Sequence, residues 1–174
     1  KRLGVKPLLG ADVLRSAIQA QMGHCEVLHV ACHARYDPKR PERSGFRLGD
    51  GSVFSARDAA NARMRTRMAV LSACDSGRAD IGEGDDATGL APSLLYAGVQ
   101  AIVATLWRVE DAATARLVDR LYTEVLEPRV DLATALWRAQ RALLQRASTS
   151  HPYYWAAFYV AGCWVRGETE ERGA

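Results

Sequence analysis

Four short apolar runs punctuate the chain: Val27–Cys32, Met68–Ala73, Val99–Leu106 and Tyr154–Ala161. Each is nearly continuous and too short for a typical helix. The runs therefore predict strands covered on both faces. Between them the apolar residues recur at helical spacing. Over 12–21, Val13, Leu14, Ala17 and Ile18 share a face, with Asp12 as the expected N-cap. Ser55 is placed to cap a short helix reaching about Ala62. A helix is expected from Thr88 or Gly89 to Ala97, closed by Gly98 at the position that favours a left-handed residue. Two longer helices follow, at 111–126 (Leu117, Leu121, Val125) and 131–146 (Leu132, Leu136, Ala139, Leu143). Residues 35–52 and 75–87 are polar and rich in glycine or proline. They read as long loops, the first with a hairpin turn at Asp50-Gly51.

Helix and strand alternate, which implies crossover connections and a mostly parallel sheet with helices on both faces, an α/β domain. At 174 residues the chain suits a single domain, 1–174. Apolar residues make up 48% and charged residues 25%, the balance of a soluble globular protein. No apolar run approaches the ~20 residues that span a bilayer, and the first residues lack a signal-peptide pattern. A net charge of +3, with a mild cluster at Arg63, Arg65 and Arg67, is too little for a nucleic-acid surface and reads as a solvated face. The four cysteines form no C-x-x-C pair and fit no zinc-site spacing. The expectation is a cytoplasmic protein without disulfides, metal or cofactor.

In sheets of this kind, sites form outside the carboxyl ends of the strands. His33 follows the first apolar run and Cys74 the second, each leading into a long loop. Read singly, a buried cysteine is inert core and a histidine a satisfied polar group. Read together, they supply what thiol catalysis needs: a sulfur to attack a carbonyl and an imidazole to manage the proton. Backbone N–H groups of Cys74 and of Ala34-Arg35 are natural oxyanion donors. Rival motifs fail. Cys74 to Arg78 is too short for a phosphatase loop, Gly82-x-Gly84 is followed by the wrong spacing for a dinucleotide loop, and no G-K-[ST] occurs. His29 and His33 lie four apart on an expected strand, without the helix of a zinc motif, so His29 reads as a core or supporting residue. His151 reads as a surface residue or local brace.

The segments Leu28-His29-Val30-Ala31-Cys32-His33-Ala34 and Leu71-Ser72-Ala73-Cys74-Asp75-Ser76-Gly77 resemble the two catalytic motifs of the CHAT peptidases. These are caspase-like, separase-related cysteine peptidases often linked to tetratricopeptide repeats. The likeness extends through Gly84–Gly98, Val103–Asp111, Ala135–Gln140 and His151–Phe158, about residues 24 to 165. It implies a caspase-like three-layer fold and a cysteine endopeptidase with His33 as base and Cys74 as nucleophile. By the separase likeness, Asp111, with Glu110 beside it, would receive an Arg or Lys before the cut. The competing reading of Asp111 is an N-cap for a helix from Ala112. Asp75 would lie near the site or hold its loop. Two departures stand out. Ala34 replaces the glycine common after the histidine, and only one helix precedes the first strand. The second implies a domain or processed fragment of a longer protein. The partners implied are a protein or peptide substrate and an activating partner or repeat region. The alternative is a non-catalytic or partner-gated interaction module.

Overall fold

The computed structural model describes residues 6–35, 37, 39–72, 90–126 and 130–163. Its main sheet contains β1 (Val27–Val30), β5 (Met68–Leu71), β6 (Ala101–Thr105) and β7 (Phe158–Gly162), side by side in that order. β1–β5 and β5–β6 are parallel, as expected from their crossovers; β7 runs antiparallel to β6. The last apolar run begins differently from its reading as a strand. Pro152–Tyr154 forms a 3₁₀ turn, begun by the Tyr153 N–H donating to His151 Nδ1 at 3.2 Å. Gln140 then donates to the carbonyls of Trp155 (3.1 Å) and Phe158 (2.9 Å), which holds the turn where β7 starts. His151 is thus the local brace.

Strand alternation divides the core into two clusters. Met68, Val70, Ala101 and Val103 face α4 (Asp111–Leu126) and α5 (Leu132–Leu144). Leu117, Leu121 and Val125 of α4 and Leu132, Leu136, Ala139 and Leu143 of α5 are all buried there. Ala69, Leu71, Ile102 and Ala104 face the other layer. That layer holds α1 (Arg15–Met22), α2 (Ala56–Ala60), α3 (Leu90–Tyr96) and a small antiparallel sheet. Burial of this kind contributes ~1.5–3 kcal/mol per large apolar side chain. The three layers are those of the caspase-like arrangement.

The small sheet occupies the expected loop 35–52. It comprises β2 (Ala34–Arg35), β3 (Gly45–Arg47) and β4 (Val53–Ser55), ordered in sequence. The hairpin between β3 and β4 turns at Asp50-Gly51, with Gly51 at φ +82°. Phe46 and Phe54 are cross-strand partners whose rings stack at 5.0 Å, and both join the core shared with Ile18, Ala69, Leu94 and Ile102. Ser55 caps α2 as its position suggested, and Asp58 reciprocates to complete a capping box.

Two readings need correction. The first helix starts at Arg15, not Asp12, which sits in a 3₁₀ turn and makes no cap. The Gly49 N–H binds the Val13 carbonyl (2.8 Å), and Arg15 donates to the Val53 carbonyl (2.7 Å). These ties to the hairpin keep residues 13 and 14 out of the helix, with Leu14 extended. Among the described residues β1 is also an edge strand rather than one covered on both faces, with Val27 and Leu28 half-buried and His29 accessible. Gly98 behaves as expected. It takes φ +109° after α3, and a Cβ there would run into the Met64 carbonyl.

Candidate active site

A cavity of about 430 Å³ opens where the carboxyl ends of β1 and β5 meet the start of α4. That is within the size range of small-ligand pockets. The chain after β1 supplies Cys32 and His33 to its wall. The end of β5 supplies Ser72, the turn after β6 supplies Arg108, and the first residue of α4 supplies Asp111. His33 is exposed at the rim, between the main sheet and β2. Its carbonyl accepts from the Arg47 N–H at 2.9 Å. Peptide units are planar and trans, so the Ala34 N–H points the opposite way, out of the small sheet. Ala34 itself is not among the residues that line the cavity.

Cys74 and Asp75 lie outside the described residues, as does the expected loop 75–87. Asp111 does line the cavity, together with His33. It is not an N-cap: α4 begins at Asp111 itself, and the first helical bond runs from the Thr114 N–H to the Glu110 carbonyl (2.9 Å). Its carboxylate sits in the first turn, where the helix dipole favours negative charge. Glu110 is exposed and does not line the cavity. Arg108 is a wall residue that sequence reasoning did not single out. It stands in the Leu-Trp-Arg stretch, and its three-residue spacing from Asp111 across a helix start was the available signal.

His29 also borders the cavity, and it is engaged at both nitrogens. Nε2 is 3.1 Å from Ser72 Oγ, and Nδ1 is 3.1 Å from Tyr122 Oη on α4. Surrounding protein displaces water from the ring and lowers its pKa below the usual imidazole value. Burial pushes the Tyr122 phenol up to about 12. His29 is therefore a supporting group whose two ring nitrogens are both occupied within the protein.

Cys32, next to His33, is the thiol that sequence proximity alone would confuse with a nucleophile. Burial pushes its pKa up to about 11, against a smaller opposing pull from the Arg47 N–H. Near pH 7.5 only roughly one such thiol in a few thousand is ionised, and only the thiolate is reactive. Iodoacetamide at that pH is expected to leave Cys32 unmodified, as read by mass spectrometry of tryptic peptides. Rapid carbamidomethylation of Cys32 would show that burial does not suppress it.

The family model of the CHAT domain matches residues 1–163. Two curated proteins named "Tetratricopeptide repeat protein 28" are similar to this chain. The one from Mus musculus is 22% identical and the one from Homo sapiens 20%, each alignment covering 94% of this chain and 8% of the relative. The chain thus spans about a twelfth of the length of these relatives. No helix among the described residues is long and apolar enough to cross a membrane.

Proposed function

The chain belongs to the CHAT domain family, whose fold is caspase-like and peptidase-related, and on that premise we propose that it is a cysteine endopeptidase acting through Cys74 and His33. The observation that carries this reading is the register of β1 on β5. The last parallel pair is Val30 with Leu71. His33 lies three residues past Val30, and Cys74 lies three past Leu71. Neighbouring parallel strands are ~4.8 Å apart, so equal advances favour delivery of sulfur and imidazole to the same rim. The thiolate attacks the scissile carbonyl and His33 gives a proton to the leaving amine. Water, deprotonated by His33, then hydrolyses the thioester. The N–H groups of Ala34 and Cys74 take the oxyanion.

Asp111 is the group proposed to select a basic residue before the cut, since its carboxylate, though exposed, lines the cavity with His33 and can pair with guanidinium or ammonium. Glu110, exposed and off the cavity wall, is left with at most a long-range contribution. Asp75 is proposed to hold the loop after the nucleophile. Arg108 shares the cavity and makes the specificity assignment testable in both directions. Peptides carrying Arg, Ala or Glu before the cut are expected to rank in that order of kcat/KM. Asp111→Asn should lower the Arg peptide's value about 10- to 100-fold and leave the Ala peptide's within threefold. A wild-type preference for Glu would transfer the specificity role to Arg108 and overturn the basic-site assignment.

A second reading is favoured by the repeat proteins among the relatives: a partner-gated module inside a longer, tetratricopeptide-linked chain of the reducing cytoplasm. Selective labelling of Cys74 by a thiol-reactive peptide in the isolated chain supports the enzyme. Labelling that appears only with an added repeat segment supports the gated form.

A further inference from the structure

The face of β1 that looks toward α4 and α5 carries an imidazole at His29, opposite Val70 in the strand register. Three hydrogen bonds meet around it. Tyr122 Oη and His29 Nδ1 are 3.1 Å apart, His29 Nε2 and Ser72 Oγ 3.1 Å, and Ser72 Oγ and the Val30 carbonyl 3.3 Å. The Ser72 N–H also donates to that carbonyl at 2.9 Å. The Tyr122 and His29 rings lie 5.7 Å apart with planes inclined by 31°.

Counting protons sets the direction of the chain. A carbonyl only accepts, so the Ser72 hydroxyl gives its proton to Val30. The Ser72 oxygen then accepts from His29 Nε2–H, and the bare Nδ1 accepts from the Tyr122 hydroxyl. Three protons make three bonds, each used once. In the opposite direction the Ser72–Val30 hydroxyl bond is lost and the Tyr122 proton is left outside the chain. The same count argues against Ser72 and His29 as a nucleophile and base of their own: the serine proton is committed to Val30, away from the imidazole.

Ser72 is thereby tied to Val30 twice, and through His29 to α4. These are the strand ends from which His33 and Cys74 follow. We propose that Tyr122, His29 and Ser72 are positioning residues, a one-directional hydrogen-bond chain that holds the β1 and β5 ends in the geometry the Cys74–His33 chemistry requires. The functional half of this inference rests on the peptidase reading; the proton assignment does not. Each member alone is unremarkable in sequence, but the three come from β1, the β5 end and α4 and meet through His29, with His29 and Ser72 on the cavity wall and Tyr122 buried behind them.

The test uses the full chain. ¹⁵N NMR of the histidine side chains is expected to read the Nε2–H tautomer at His29. Tyr122→Phe, which keeps the ring and removes the donor, should shift it toward a tautomer mixture. Against an Arg-site peptide, Tyr122→Phe and Ser72→Ala are expected to lower kcat about tenfold with KM unchanged, and Ser72→Thr to restore it. A wild-type Nδ1–H tautomer, or full kcat in Tyr122→Phe, overturns the proposal. If the wild-type chain cleaves no peptide, the peptidase reading fails by itself. The chain is then judged by its tautomer and by the carbamidomethylation rate of Cys74. A Ser72→Ala rate equal to wild type overturns the positioning role, and a tenfold change supports it.

Discussion

Cys74→Ala is expected to bring cleavage of an Arg-site peptide to the level of the uncatalysed control, a loss of about a thousandfold or more in kcat/KM. Alanine removes the sulfur that forms the acyl-enzyme, and no neighbouring thiol replaces it, because burial holds Cys32 protonated. His33→Ala should fall nearly as far, and the double variant no further, since the two act as one unit. His33→Ala should not unfold the protein: His33 is exposed at the rim, so the variant's melting temperature is expected to stay within about 2 °C of wild type. Substantial cleavage by Cys74→Ala would refute the peptidase mechanism. Full activity in His33→Ala would instead require another base in the cavity, and His29, with both ring nitrogens engaged by Ser72 and Tyr122, is poorly placed to become one.

The largest stability effect is expected at the ion cluster between α4 and α5. Glu124 is 1% exposed, whereas the side chains of its partners Arg120 and Arg138 are about half exposed. Arg120 pairs with one carboxylate oxygen along α4, and Arg138 donates to the other from α5 at 2.9 Å. The asymmetry of burial decides which substitution costs more. Removing both arginines strands a buried carboxylate, which costs ~3–5 kcal/mol or forces it to take up a proton. Glu124→Gln leaves two arginines that water can reach, together with a neutral amide of the same size, and should cost about 1–2 kcal/mol. Thermal melts at neutral pH are expected to fall by about 10 °C for Arg120→Ala/Arg138→Ala and by only a few degrees for Glu124→Gln. The reverse order would show that the carboxylate is not the buried member on which the cluster depends.

Much of the frame is legible before any coordinates are consulted. The Leu117-Leu121-Val125 and Leu132-Leu136-Ala139-Leu143 spacings commit α4 and α5 to one buried face each, because helical period and solvent exclusion leave no other arrangement. The Ser55–Asp58 cap is local in the same way, whereas the Gly98 stop is readable locally but enforced by the distant Met64 carbonyl. His33 was recognisable from its place after an apolar run, and Asp111 from its likeness to a family motif.

What the sequence by itself determined is therefore the set of elements, their alternation and the residue types that could carry thiol chemistry, since those follow from contacts between near neighbours. Only the tertiary structure decided which strands became edges, that β7 turned antiparallel, and that a small sheet replaced an expected loop. It also decided which polar groups meet at the cavity. His29 and Tyr122 are 93 residues apart, and Arg108 enters the wall only because β6 ends beside β1's neighbour, β5. Backbone periodicity constrains what is close along the chain. Pairings across the sheet are chosen by the combined burial and hydrogen-bonding of the whole domain, which no short stretch of residues encodes.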